Sequence, residues 1–196
     1  MNIQLPLILG SSSKFRQAQL KKLNLNFQTA SPNFDETPNS NETAADTALR
    51  LAIGKARSLA DQFPQALIIG SDQVAWCNNH QLGKPMSVAK AQQMLCELSG
   101  QTIEFYSALC LLNTSIDRLQ TYVDKTTVTM RQLTEQQIHS YLSKEPDAIF
   151  CAGSAKSEGL GATLLQNIES SDPNALIGLP VFRLIDFLYN EGFNIL

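Results

Sequence analysis

Histidine is almost missing from this chain: His80 and His139 are the only two in 196 residues, and neither has a partner at ligand spacing. That scarcity argues against a Cys/His zinc site and leaves a Ser-His-Asp or Cys-His nucleophile system without its base. Cysteine is sparse as well. Cys77, Cys96, Cys110 and Cys151 form no C-x-x-C pair, so they read as buried or half-buried thiols of a reducing compartment. No apolar stretch approaches the roughly 20 residues that cross a bilayer. The opening MNIQLPLILG carries neither a positive n-region nor a small-residue cleavage site. The expectation is a cytoplasmic protein with no membrane partner. A basic run is lacking too: 15 Lys+Arg stand against 18 Asp+Glu, for a net charge of −3, which argues against a nucleic-acid partner. With no repeats, low-complexity segments or linkers, residues 1–196 are expected to form a single domain.

What is present is material for a core. Hydrophobic residues make up 43% and charged ones 17%, which excludes a wholly disordered chain. Residues 5–9 (LPLIL) and 66–70 (ALIIG) are short apolar runs of the kind buried on both faces of a sheet. Alternation through Ile103, Phe105, Ser107, Leu109 and Leu111 predicts a longer strand, and the β-branched stretch 121–130 a partner for it. Helical periodicity covers about 13–24, 43–63, 87–98, 134–144 and 180–190. Thr134 and Gln137 make a capping box, and Pro180 suits a first helical turn. Strands interleaved with helices imply an α/β domain with a mixed sheet.

Two cations sit where a helix should be apolar. Ala48, Leu51, Ala52, Ala56 and Leu59 form an i, i+3, i+4, i+7 stripe, and Lys55 falls inside it. Asp46, Arg50, Arg57 and Asp61 take the outward face. An inward lysine must snorkel, pair or meet an anion. Arg16 lies four before Leu20 and seven before Leu23, on the core-facing side of a first turn whose free N–H groups favour anions. A structural carboxylate accounts for either cation alone. Together, beside Gly10-Ser-Ser-Ser, they point to phosphate. The turn is not a P-loop, because G-x-x-x-x-G-K-[ST] is absent. Gly159-Leu-Gly161 likewise lacks the third glycine of a dinucleotide fingerprint.

Asp72 follows the run ALIIGS, which places it at or near the end of a central strand, where open α/β sheets bind ligands. Asp35-Glu36, between Pro32 and Pro38, can supply a further acid for a metal, although exposed acidic loops are common. Lys84 is fixed in Gly83-Lys-Pro85. Carboxylates for a hard divalent ion and three cations for phosphate are the equipment of metal-assisted hydrolysis of a phosphate ester or anhydride. The residues by themselves reach that reaction class and no further.

The ordered set Ser11-Ser-Ser-Lys-Phe-Arg16, Asp35-Glu-Thr37, Ala52-x-x-Lys55-Ala56, Gly70-Ser-Asp-Gln-Val74, Gly83-Lys-Pro85, Cys151-Ala-Gly-Ser-Ala-Lys-Ser-Glu-Gly159 and Ile177-Gly-Leu-Pro180 resembles the Maf family of nucleoside triphosphate pyrophosphatases across nearly the whole chain. The resemblance implies a two-lobed α/β domain around an elongated mixed sheet flanked by helices, similar to the inosine triphosphate pyrophosphatases. It also implies hydrolysis between the α- and β-phosphates. In that reading Asp72 is the proton acceptor, Glu36 and Asp72 bind a divalent cation (Mg, Mn or Co), and Ser12, Ser13, Arg16, Lys55 and Lys84 bind phosphate. Phe15, Gln73 and Glu158 fall where base choice is set, and this combination resembles the 7-methyl-GTP group. A flat aromatic can stack on a positively charged 7-methylguanine, and a carboxylate can accept from guanine's N1–H and exocyclic amine. That group often carries Trp where Phe15 stands, and a buried helix residue is the plain alternative for Phe15. The expected partner is a small-molecule nucleotide, with a homodimer left open. The competing readings are a dTTP/UTP pyrophosphatase of the same family and a non-catalytic nucleotide-binding regulator of septum formation.

Overall fold

The computed structural model describes residues 4–196. Among them are seven strands and five α-helices: β1 (Leu7–Gly10), α1 (Lys14–Lys22), β2 (Phe27–Ala30), α2 (Ala44–Arg57), β3 (Leu67–Cys77), β4 (His80–Leu82), α3 (Val88–Leu98), β5 (Thr102–Asn113), β6 (Arg118–Met130), α4 (Glu135–Lys144), β7 (Leu165–Glu169) and α5 (Val181–Asn190). The strands run in the order β2-β1-β3-β5-β6-β7, with β4 on β3. β1 is parallel to β2 and β3, while β4 on β3 and β7 on β6 are antiparallel, so the sheet is mixed as expected.

The chain forms two compact units; three of the boundaries fall inside β3, β5 and β6, and the fourth follows Ser171, after β7. The first comprises Met1–Gln73, Ser107–Asp124 and Asp172–Leu196. Its core is built from alternate strand positions, Leu7 and Leu9, Leu67 and Ile69, Leu109 and Leu111, against Leu20 of α1 and Leu184 and Leu188 of α5. The other face of β1 and β3 meets α2. There Gly70 of β3 lies so close to the helix that an added Cβ would be 2.9 Å from the Ala56 Cβ and would strike the Ala52 carbonyl oxygen. Small residues on both sides let α2 lie directly on the strand, which fixes where Lys55 can reach.

The second unit comprises Val74–Tyr106 and Lys125–Ser171. Tyr141 of α4 donates to the Ser154 carbonyl (3.1 Å) and accepts from Lys156 N–H (3.0 Å), which ties α4 to the following loop. Lys156 Nζ is held 2.8 Å from Glu145, whose other oxygen takes the Leu160 N–H.

Several expectations need correction. β2, β4 and β7 lay outside the sequence reading. All four residues of β2 and four of the five of β7 are exposed or half-exposed, so neither shows the apolar run or clean alternation that marks a strand. α2 ends at Arg57 rather than near 63. Leu59 N–H bonds to the Ala56 carbonyl and Ala60 N–H to Arg57, an i→i+3 tightening that winds the helix out before Pro64. Pro180 is the cap residue preceding α5 and not within its first turn. Cys96 is exposed, while Cys77 and Cys110 are buried. The capping box of Thr134 and Gln137 is formed.

Candidate active site

Two acids and one lysine meet on the α2 side of β3. Lys55, 8% exposed in its side chain, places Nζ 2.6 Å from Asp72 Oδ1 and 3.0 Å from Glu36 Oε2. The inward charge read from helical period is therefore real, and its anions here are carboxylates of the protein. Asp72 stands in the interior of β3, not at its end. The strand continues to Cys77, whereas its pairing with β1 stops at Gly10 opposite Gly70. β1 thus turns away two residues before Asp72, and the ligand-binding position expected of a strand end arises where the neighbouring strand ends.

Glu36 reaches Lys55 from a loop that is itself held in shape. Asp35 Oδ1 accepts from the Thr37 N–H (2.9 Å) and hydroxyl (2.7 Å), a local Asx turn. These bonds hold the Asp35 carboxyl below its ordinary range and commit one of its oxygens to Thr37. Arg50 of α2 donates to the Thr37 carbonyl and grips Glu42 at 2.6 and 2.9 Å. That grip, helped by Asn39 and Thr47, lowers the Glu42 carboxyl to about 2. Two carboxylates on one cation are a hard-oxygen donor set of the kind Mg²⁺ takes from a protein beside water and phosphate oxygens. Glu36 and Asp72 therefore fit a divalent ion, although no three His, Cys, Asp or Glu gather at metal-ligand spacing among the described residues.

On the opposite side of the sheet the Ser11–Ser13 turn opens α1. Ser13 caps the helix by accepting from Arg16 N–H (3.4 Å), and Ser12 is exposed. Arg16 is half-buried, and its partners are neutral: Nε donates to the Gly178 carbonyl at 2.8 Å and Nη1 to Ser11 Oγ at 3.3 Å. Burial lowers the guanidinium pKa, while the charges of Asp72 and Glu36 oppose that. Gly178 has φ of +127°, a conformation that favours glycine. Its carbonyl also takes the Ser71 hydroxyl at 3.0 Å. Beside it, Gln73 Nε2 lies 2.9 Å from Ser107 Oγ and 3.0 Å from the carbonyls of Ala175 and Leu176. Phe15 is half-buried on α1, not a core residue.

Lys84 and Glu158 belong to the second unit and are exposed. Both act on the Cys151 thiol, which burial pushes up to about 11, with Glu158 raising it further and Lys156 and Lys84 opposing. The structure thus brings Glu36, Lys55 and Asp72 into contact, holds Arg16 elsewhere in the same unit on Gly178 and Ser11, and places Lys84 and Glu158 in the other unit. Sequence reasoning missed Ser71, Ser107 and the carbonyls of 175–178. One signal was available: Ser107 is a hydroxyl inside an otherwise apolar alternation.

The family described as Maf-like protein matches residues 6–191. The chain belongs to the Maf family. A relative from Neisseria gonorrhoeae named 7-methyl-GTP pyrophosphatase is 62% identical over 196 residues, covering all of both chains. Another of the same name from Chromobacterium violaceum is 54% identical and covers 97% of this chain and 98% of its own. A solved HAM1 protein from Coxiella burnetii superposes with a TM-score of 0.48 at 19% identity, over 66% of this chain and 75% of its own.

Proposed function

We propose that this Maf protein hydrolyses 7-methyl-GTP to 7-methyl-GMP and pyrophosphate, acting on the free nucleotide pool of the cytoplasm. The observation that carries the reading is the 62% identity, over the full length of both chains, to a relative bearing that name. The geometry supplies parts suited to the chemistry. Asp72 accepts the proton of the water that attacks the α-phosphorus. Lys55, 2.6 Å away, holds that carboxylate in one orientation and balances its charge. Arg16, fixed by Gly178 and Ser11, binds phosphate oxygens together with Ser12 and Ser13, and the family resemblance gives Lys84 a phosphate-binding role as well.

Glu36 and Asp72 would hold a divalent ion (Mg, Mn or Co), which when bound supplies charge stabilisation at the phosphoryl oxygens. Phe15 stacks on the base, and Gln73 and Glu158 read its edge. No helix among the described residues is long and apolar enough to cross a membrane.

The test is release of pyrophosphate and orthophosphate from 7-methyl-GTP, GTP, UTP and dTTP, with Mg²⁺ or Mn²⁺ and with EDTA. Pyrophosphate release led by 7-methyl-GTP and abolished by EDTA is expected, as is a loss of about 10²–10⁴-fold in Asp72→Asn. Faster release from UTP or dTTP would overturn the substrate. Near-normal rates in folded Asp72→Asn would remove the proposed proton acceptor.

A further inference from the structure

Gln73 and Ser71 project from the same side of β3 toward the loop 172–178, whereas Asp72 projects toward Lys55 on α2. The surroundings of the Gln73 amide are all acceptors on one side. Ser107 is fully buried, and its hydroxyl donates to the Ala175 carbonyl at 2.7 Å. With its proton committed there, Ser107 Oγ can offer Gln73 only lone pairs. The other two neighbours of Nε2, the carbonyls of Ala175 and Leu176, are acceptors by nature. A flipped amide would set its oxygen against three hydrogen-bond acceptors, so one orientation survives. The NH₂ group is used up inside the protein. No described residue donates to Oε1.

We infer that Ser107 is a positioning residue for nucleotide selection: together with the carbonyls of Ala175 and Leu176 it holds the Gln73 amide so that the side chain meets a ligand as a hydrogen-bond acceptor only. This rests on the reading of Gln73 as a base-selecting residue. The ligand group that Gln73 rewards is then an N–H or O–H donor. A ligand carbonyl at the same place is rejected, because no amide proton remains to meet it. Selectivity against an acceptor is built into the scaffold and needs no bulky side chain.

The experiment is a double-mutant cycle on selectivity, with a spectroscopic arm that needs no turnover. The ratio of kcat/KM for 7-methyl-GTP over UTP is measured for wild type, Ser107→Ala, Gln73→Ala and the double variant. Ser107→Ala is expected to lower the ratio about fivefold to tenfold, roughly the worth of one buried hydrogen bond. In the Gln73→Ala background it should change the ratio less than twofold, since Ser107 acts only through Gln73. Ser107→Thr, which keeps the hydroxyl, should restore the ratio. If Ser107→Ala does not fold, Ser107→Cys keeps the volume with a weaker acceptor and should lower the ratio in the same direction.

In ¹⁵N spectra of wild type the Gln73 Nε2 protons should exchange slowly with solvent, and should exchange at least tenfold faster in Ser107→Ala or Ser107→Cys. Equal effects of Ser107→Ala with and without Gln73, or Nε2 protons that exchange freely in wild type, overturn the inference. A wild-type ratio favouring UTP with slow Nε2 exchange would instead overturn the substrate reading and leave the amide lock standing.

Discussion

Replacing Lys55 by methionine keeps the hydrocarbon stem and deletes the one charge on which Glu36 and Asp72 converge. The side chain of Asp72 is 13% exposed and that of Glu36 59%. Most of the penalty therefore falls on Asp72, left close to uncompensated in a site that excludes most water. Removing one partner of a buried pair costs about 3–5 kcal/mol. The exposed Glu36 arm adds no more than about 1 kcal/mol, and residual water at Asp72 argues for the lower end, about 3 kcal/mol. For a chain of this size that is a fall in Tm of about 6–12 °C.

Turnover should fall at least about a hundredfold, because the carboxylate loses the group that orients it. Thermal melts and steady-state kinetics on the purified variant measure both quantities. The reasoning makes a sharper demand of the double variant. Lys55→Met with Asp72→Asn removes both charges of the shorter contact, so it should recover most of the lost stability while remaining inactive. A double variant that melts lower than Lys55→Met alone would refute the account. So would a single variant within 2 °C of wild type.

Gly70→Ala drives a methyl into the Ala52 carbonyl and the Ala56 side chain. It should cost about 1–3 kcal/mol through overpacking and lower kcat as well, because the same displacement moves Lys55. Melting and kinetics on one preparation check both. Glu42 is depressed from an ordinary 4.5 to about 2 by Arg50. Its stabilising contribution is therefore fully present above about pH 4.5 and disappears as pH falls through about 2. The difference in Tm between wild type and Glu42→Gln should accordingly be constant from pH 7 to 5 and close below that. Glu158→Gln should lower the preference for 7-methyl-GTP over UTP severalfold in competition assays, and an unchanged ratio would detach Glu158 from base reading.

The legible part of this molecule was the part governed by periodicity. Lys55 stood out because a 3.6-residue stripe makes an inward charge conspicuous, and the structure buries it against two acids. Ser107 carried an equivalent signal in a two-residue period, but a lone hydroxyl in a strand has many explanations, and its acceptor is a backbone carbonyl 68 residues away. Gly178 was visible as part of a motif, yet its task is to offer a main-chain oxygen to Arg16 and Ser71, which no side-chain pattern encodes. β2 escaped for a related reason. It is held by parallel pairing along β1 from Leu7 to Gly10, and backbone pairing leaves no mark on composition. Asp72 was placed at or near a strand end because a run of apolar letters stops at Gly70, when only the neighbouring strand had ended and β3 itself runs on to Cys77.

Consecutive residues of β3 divide the proposed labour: Asp72 toward the lysine of α2, Gln73 toward Ser107 and the 175–176 carbonyls. A strand turns over with every residue. Insertion or deletion of a single residue between Gly70 and Asp72 would therefore present a carboxylate to three hydrogen-bond acceptors and an amide to a lysine. Point changes can retune either side of this strand independently, but its length between those residues admits no drift, and proteins that share the chemistry should share that count before they share any other feature.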